Sequence, residues 1–218
     1  MRGLGRNVKF MMGFLLRFQV KCYLLITIIC VLFGGVRHGI KSLVNETIPF
    51  YLFVSSLTFI LVCAMSYSDM YYNTMVSQGS ARKPAALGML LSQYIFTGMQ
   101  LVILFTMAMI TENNWSLAIK TCPLGLLAVC FIILAVGVIC ATLSMSGHNV
   151  WAVCLLFTFI IAGIALVVII GFRHDFTWSA EMVKPYNNLW FLAAGVVLEV
   201  IGSIAYYKTV QKVDLKLA

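Results

Sequence analysis

Apolar side chains fill six long runs of this chain, and the charged residues collect between the runs rather than within them. The runs do not alternate apolar with polar positions, as a barrel strand would with its period of two. In hydrocarbon every backbone donor and acceptor must be paired internally, so non-alternating runs long enough to cross a bilayer predict helices. The predicted spans are 20–36, 50–67, 87–110, 123–145, 150–172 and 189–207. Pro49 and Pro123 suit the first turns of the second and fourth spans, where a missing N–H costs nothing. Ser146-Gly147-His148-Asn149 predicts a tight turn into the fifth. The first span is short and is bracketed by Lys21 and Arg37, whose snorkelling helps it reach both interfaces.

Before the first span the pattern changes. Arg2, Arg6, Lys9 and Arg17 fall near one helical face, while Leu4, Val8, Met11, Leu15 and Phe18 recur on another. This predicts an amphipathic elbow helix over residues 1–19, lying in the membrane interface with its cations toward anionic headgroups. The basic start is not a secretory signal, because no small-residue cleavage site closes the apolar stretch. Residues 20–207 then form one six-span membrane domain, and 208–218 a short tail.

Composition strengthens the membrane assignment. The 218 residues are 62% hydrophobic and 10% charged, against about a quarter charged in an ordinary soluble domain. The net charge of +8 reflects where the cations lie and does not call for nucleic acid. One side collects Arg2, Arg6, Lys9, Arg17, Lys21, Arg82, Lys83, Lys208, Lys212 and Lys216; the other holds Arg37, Lys41, Lys120, Arg173 and Lys184. That asymmetry predicts both termini in the cytoplasm of a multi-pass protein of the cell membrane, most simply a bacterial plasma membrane. Asn45-Glu46-Thr47 matches a glycosylation acceptor, a weak signal on the opposite side.

Catalytic chemistry is not evident. The seven cysteines sit mostly inside apolar runs with no C-x-x-C pair and no histidine at metal-ligand spacing, so they read as packing residues. No phosphate loop occurs, so any use of ATP belongs to a partner. Asp69, Asp175 and Asp214 lie outside the spans, and Ser203 has no intramembrane histidine to activate it. His38, His148 and His174 fall at span ends and read as interfacial. The chain is therefore not predicted to be an enzyme, and no metal or cofactor is expected on it.

Glu199 is the one ionisable residue deep in a span, where a charge costs about 3 kcal/mol on insertion scales. Gly195, Glu199, Gly202 and Tyr206 share a helical face, on which the glycines permit close approach of a neighbour. Glu199 is either a pathway group or a packed, hydrogen-bonded carboxyl. Gln93, Thr97 and Gln100 repeat the spacing on the third span and either line a polar pathway or bond between helices. The methionines Met65, Met70, Met75 and Met89 read as adaptable packing.

The most distinctive segment joins spans two and three. It holds a short helix-capable stretch, a turn at Gly79-Ser80, two cations at Arg82 and Lys83, and a helix restart at Pro84. The run Ser77-Gln78-Gly79-Ser80-Ala81-Arg82-Lys83, the elbow, the six spans and the Tyr206-Tyr207-Lys208 ending together resemble permease subunits of the type 2 ATP-binding cassette exporter family. The resemblance implies an all-α membrane protein with a cytoplasmic coupling helix. Asp69, Tyr72, Asn73, Ser77, Gly79, Ser80, Arg82 and Lys83 would then contact a separate ATPase subunit, which binds ATP and magnesium. It also implies pairing with a second permease, alike or paralogous, and export of amphipathic peptides or hydrophobic drugs. The stretch Arg173 to Asn188 is too short for much of the re-entrant hairpin of larger relatives, which argues against a lipid-linked polysaccharide. The rival expectation is an ATP-independent secondary transporter or channel, with Glu199 binding the coupling ion. A scaffold without flux is the third.

Overall fold

The computed structural model describes residues 3–42, 48–66, 72–77, 79–112, 123–147 and 186–212, with the isolated helical positions Trp151, Cys154, Leu155 and Thr158. Every regular element among the described residues is a helix: α1 (Leu4–Ser42), α2 (Ile48–Ser66), α3 (Tyr72–Ser77), α4 (Arg82–Glu112), α5 (Pro123–Met145) and α6 (Leu189–Lys212). Four stretches are long and apolar enough to cross a membrane: Leu4–Leu32, Arg82–Ile110, Leu124–Met145 and Leu189–Lys212. α2 contributes a shorter apolar helix, Tyr51–Met65. Apart from the four isolated positions, the predicted fifth span lies outside the described residues.

The helix boundaries follow local chemistry. Pro123 opens α5, and Pro49 and Pro84 sit within the first turns of α2 and α4. α5 stops at Met145, where Ser146 and Gly147 turn back on Thr142 and Ser144 and Gly147 takes a φ of 86°. No break marks the boundary between the predicted elbow and the first span. α1 runs unbroken for 39 residues, because no proline and no turn residue stands between Arg17 and Cys22 to stop the hydrogen-bond ladder. The face it buries also differs from the expected apolar stripe. Asn7, Met11, Leu15 and Gln19 are buried, whereas Phe18 is 46% exposed.

Contacts between helices give the directions of the bundle. Asn7 meets Pro84 and Gln19 meets Gln100, so α1 and α4 run parallel. Gln93 reaches the Ala64 carbonyl, and Tyr206 and Glu199 meet Met89 and Tyr94 in reverse order, so α6 is antiparallel to α4. α5 is wedged between α2 and α6. A Cβ on Gly137 would lie 2.5 Å from the Ala64 Cβ and 3.2 Å from the Leu61 carbonyl oxygen, so this crossing is closed to any side chain. On α6 the buried residues are Gly195, Glu199, Gly202, Tyr206 and Val210. Gly195 packs against Ala128, Phe131 and Ile132, and Gly202 against Ala135, Val138 and Ile139, which sets α5 and α6 parallel.

Candidate functional site

Three polar clusters connect the helices. The first stands at the end of the bundle where α1 and α4 begin. α3 is six residues long, too short to persist alone, and it is held by its cap and its neighbours. The Ser80 N–H donates to the Met75 carbonyl at 3.0 Å and the Gly79 N–H to the Val76 carbonyl at 3.0 Å. This is a Schellman pair, and Gly79 supplies the left-handed residue it needs, with a φ of 85°.

Tyr72 and Met75 point inward from α3 and are fully or nearly fully buried. The Tyr72 hydroxyl donates to the Val210 carbonyl at 3.3 Å, joining α3 to the end of α6. Burial pushes the Tyr72 phenol above its ordinary value of 10.0, an effect the Arg82 guanidinium partly offsets. On the other flank the Ser80 hydroxyl donates to Asn7 Oδ1 at 2.9 Å, and Asn7 Nδ2 donates to the Pro84 carbonyl at 3.4 Å. A Cβ on Gly88 would come within 2.9 Å of the Asn7 Cβ, so α1 lies close against α4 here.

Of the residues expected to meet a partner, Ser77, Gly79, Arg82 and Lys83 are exposed. Tyr72 and Ser80 face the bundle instead and fix the segment in place. Asn73 lies in α3, and Asp69 lies outside the described residues. Arg6, Lys9 and Arg17 are exposed on α1, and Arg2 falls outside the described residues.

The second cluster surrounds Glu199, which is 2% exposed. Tyr94 donates to Glu199 Oε1 at 2.9 Å and Ser203 to the same oxygen at 2.7 Å, while the two hydroxyls lie 2.9 Å apart. Oε2 is buried and receives no hydrogen bond among the described residues. The two oxygens of one carboxyl are thus unequal: one is saturated by hydroxyl donors, and the other is the atom at which a proton or cation would bind.

The third cluster joins α1, α2 and α4. Gln19 Nε2 donates to Gln100 Oε1 at 3.1 Å, and the Tyr23 hydroxyl donates to the same oxygen at 3.0 Å. The Tyr23 hydroxyl also lies against the Ser56 hydroxyl, which donates either to it or back to the Leu52 carbonyl at 2.8 Å. Gln100 is fully buried, and among the described residues its Nε2 has no acceptor. Gln93 and Thr97 are buried on the same helix, with Gln93 turned to the Ala64 carbonyl at 3.4 Å.

The four residues expected along a pathway therefore divide, with Thr97 buried on α4 and the other three in separate surroundings. Glu199 belongs with Tyr94 and Ser203, Gln100 with Gln19, Tyr23 and Ser56, and Gln93 with the α2 backbone. The sequence reading missed Asn7, Gln19, Tyr23, Ser56, Tyr94 and Ser203. A signal existed for some of these: Asn7, Met11, Leu15, Gln19 and Tyr23 recur at steps of four, and Ser203 lies one turn after Glu199. Among the described residues no group of three or more metal-ligating side chains converges. No family model, curated protein or solved structure matches the chain.

Proposed function

We propose that the chain is the transmembrane permease subunit of an ATP-driven exporter, embedded in the cell membrane by six spans with both termini in the cytoplasm. The observation that carries this reading is α3 and its cap. A six-residue helix, closed by Gly79 and anchored inward through Tyr72 and Ser80, turns Ser77, Arg82 and Lys83 outward as a firm polar and cationic edge. Such an edge suits a groove on a soluble motor, because a push on it reaches both α1 and α6. ATP and magnesium would be held by that separate ATPase subunit, and a second permease, alike or paralogous, would complete the gate. The cargo in this reading is an amphipathic peptide or a hydrophobic drug.

The test is copurification of the full chain with any ATP-binding cassette ATPase encoded beside it. Arg82→Glu with Lys83→Glu should detach the ATPase while the permease keeps its melting midpoint. An ATPase that stays bound to this variant, or an operon with no phosphate-loop protein, overturns the reading.

The unpartnered Glu199 Oε2 favours a second reading, an ATP-independent secondary transporter in which this carboxyl binds the coupling ion. Glu199→Gln preserves shape and hydrogen-bonding capacity, so it separates the two. Lost ion-driven flux in folded protein supports ion coupling, and unchanged flux removes Glu199 from the mechanism.

A further inference from the structure

Glu199, Tyr94 and Ser203 bring three side-chain oxygens into mutual contact. The sides of the triangle are 2.7 Å from Ser203 Oγ to Glu199 Oε1, 2.9 Å from the Tyr94 hydroxyl to the same oxygen, and 2.9 Å between the two hydroxyls. All three are hydrogen-bond lengths, and each edge needs a proton. The hydroxyls own one proton each. An ionised Glu199 therefore leaves one edge without a proton, and when both hydroxyls donate to Oε1 that edge is the one between them. The near-equilateral shape also aims both donors at Oε1 from nearly the same direction, whereas the lone pairs of a carboxyl oxygen are splayed. A third proton resolves both conflicts. Placed on Oε1, it is donated to one hydroxyl, that hydroxyl donates to the other, and the other returns to Oε1, so each edge of a closed ring carries one proton.

The surroundings agree with a neutral acid. Glu199 is buried, and a buried carboxylate needs a cation or a full set of donors. α2 and α5 contain no charged residue. α5 lays Ala128, Phe131, Ile132, Ala135, Val138 and Ile139 against the two glycines that flank Glu199. On α6 the first cation is Lys208, nine residues on and about 14 Å along the axis; on α4 Lys83 stands eleven residues before Tyr94, about 16 Å. Among the described residues Tyr94 is the only titratable side chain bonded to the carboxyl. Oε2 has an open valence, but a proton there finds no acceptor, and a metal cation finds one oxygen where it needs several ligands. We propose that Glu199, Tyr94 and Ser203 form a proton-binding site, in which the carboxyl rests as a neutral acid with its proton on Oε1 and Oε2 as a bare carbonyl. If the chain couples ion flow to transport, as in the second reading above, the coupling ion is this proton; the site itself does not depend on that reading.

The test is infrared spectroscopy of the full chain in detergent at neutral pH, with glutamate labelled by carbon-13 at its side-chain carboxyl to separate it from aspartate. Wild type should show the C=O stretch of a protonated carboxylic acid, shifted by the label and by D2O, and Glu199→Gln should lose it. Should Glu199→Gln fail to fold, the combined variant Glu46→Gln, Glu112→Gln and Glu181→Gln retains Glu199 as the sole glutamate and should keep the band. The band position locates the proton. With the proton on Oε1 the carbonyl is Oε2, which no donor reaches, so the band lies at the high-frequency end of the acid range and stays there in Tyr94→Phe and in Ser203→Ala. With the proton on Oε2, the two hydroxyls would pull the band low, and either substitution would raise it. Absence of an acid band overturns the proposal, as does a low band that rises in the hydroxyl variants, or a band abolished by sodium or calcium chloride. Ion-driven flux is measured separately: a high band without flux supports the site and removes only the second reading.

Discussion

The α2–α5 crossing allows a stability experiment with its magnitude set by distance. Gly137→Ala places a Cβ 2.5 Å from the Ala64 Cβ and 3.2 Å from the Leu61 carbonyl oxygen. Neither neighbour is the end of a flexible side chain, so one helix must move. Overpacking of this kind costs about 1–3 kcal/mol, and replacing glycine by alanine within a helix returns about 0.5–1 kcal/mol. The net loss is about 1–2 kcal/mol, which for a chain of this size lowers the melting midpoint by about 2–8 °C. The assay is built into the molecule: Cys30, Cys63, Cys130 and Cys140 are buried, so a thiol-reactive fluorophore reports their exposure on heating in detergent. Two controls grade the effect. Gly98 has nothing within 4 Å of an added Cβ, and Gly202 meets the Ile139 Cγ1 at an ordinary 3.4 Å, so alanine at either should leave the midpoint unchanged or higher. Removing the opposing methyl with Ala64→Gly should recover part of the loss in Gly137→Ala, leaving the 3.2 Å contact with Leu61. A Gly137→Ala protein that melts at or above wild type, or a Gly98→Ala protein that falls as far, would refute the packing argument.

Other consequences follow from the polar clusters. Gly79→Ala forces a Cβ into the left-handed region at φ 85°, so it should cost about 1–2 kcal/mol locally, measured as faster proteolysis at the α3–α4 turn. Tyr72→Phe should remove one hydrogen bond worth about 0.5–1.5 kcal/mol and lower the midpoint at neutral pH. The raised Tyr72 value adds a pH dependence: folding favours the protonated phenol, so its stabilisation is complete below the ordinary value of 10.0 and is lost as pH climbs through the higher folded value. Wild type should therefore lose more midpoint than Tyr72→Phe between neutral pH and about pH 11. Removing both donors to Glu199 with Tyr94→Phe and Ser203→Ala should destabilise more than either change alone, because each leaves the other hydroxyl on Oε1. Equal midpoints for the single and double variants would show that these bonds contribute nothing.

Helix ends marked by proline and glycine were legible from sequence, and so was the α6 face. Pro123 and Met145 bound α5 as expected, Gly79-Ser80 is the turn, and Gly195, Glu199, Gly202 and Tyr206 are buried together. These features depend on residues within a few positions of one another. What sequence periodicity did not reveal was pairing between distant residues. Tyr94 is 105 residues from Glu199, Asn7 is 73 from Ser80, and Gln19 is 81 from Gln100. The elbow boundary is not marked by any break in α1. An amphipathic pattern states which face is polar but not where a helix bends, and α1 contains no residue that would break its ladder between the charged and apolar halves.

The attachment of α3 has a further meaning in terms of folding. Six residues cannot meet the cost of helix nucleation by themselves, so the helical state of this segment reports on its two moorings. If α6 draws Val210 away from Tyr72, or α1 draws Asn7 away from Ser80, the segment loses what keeps it wound. α3 is thus a conformational fuse between the first and last helices, and its amide exchange should follow their relative position rather than the stability of the bundle as a whole.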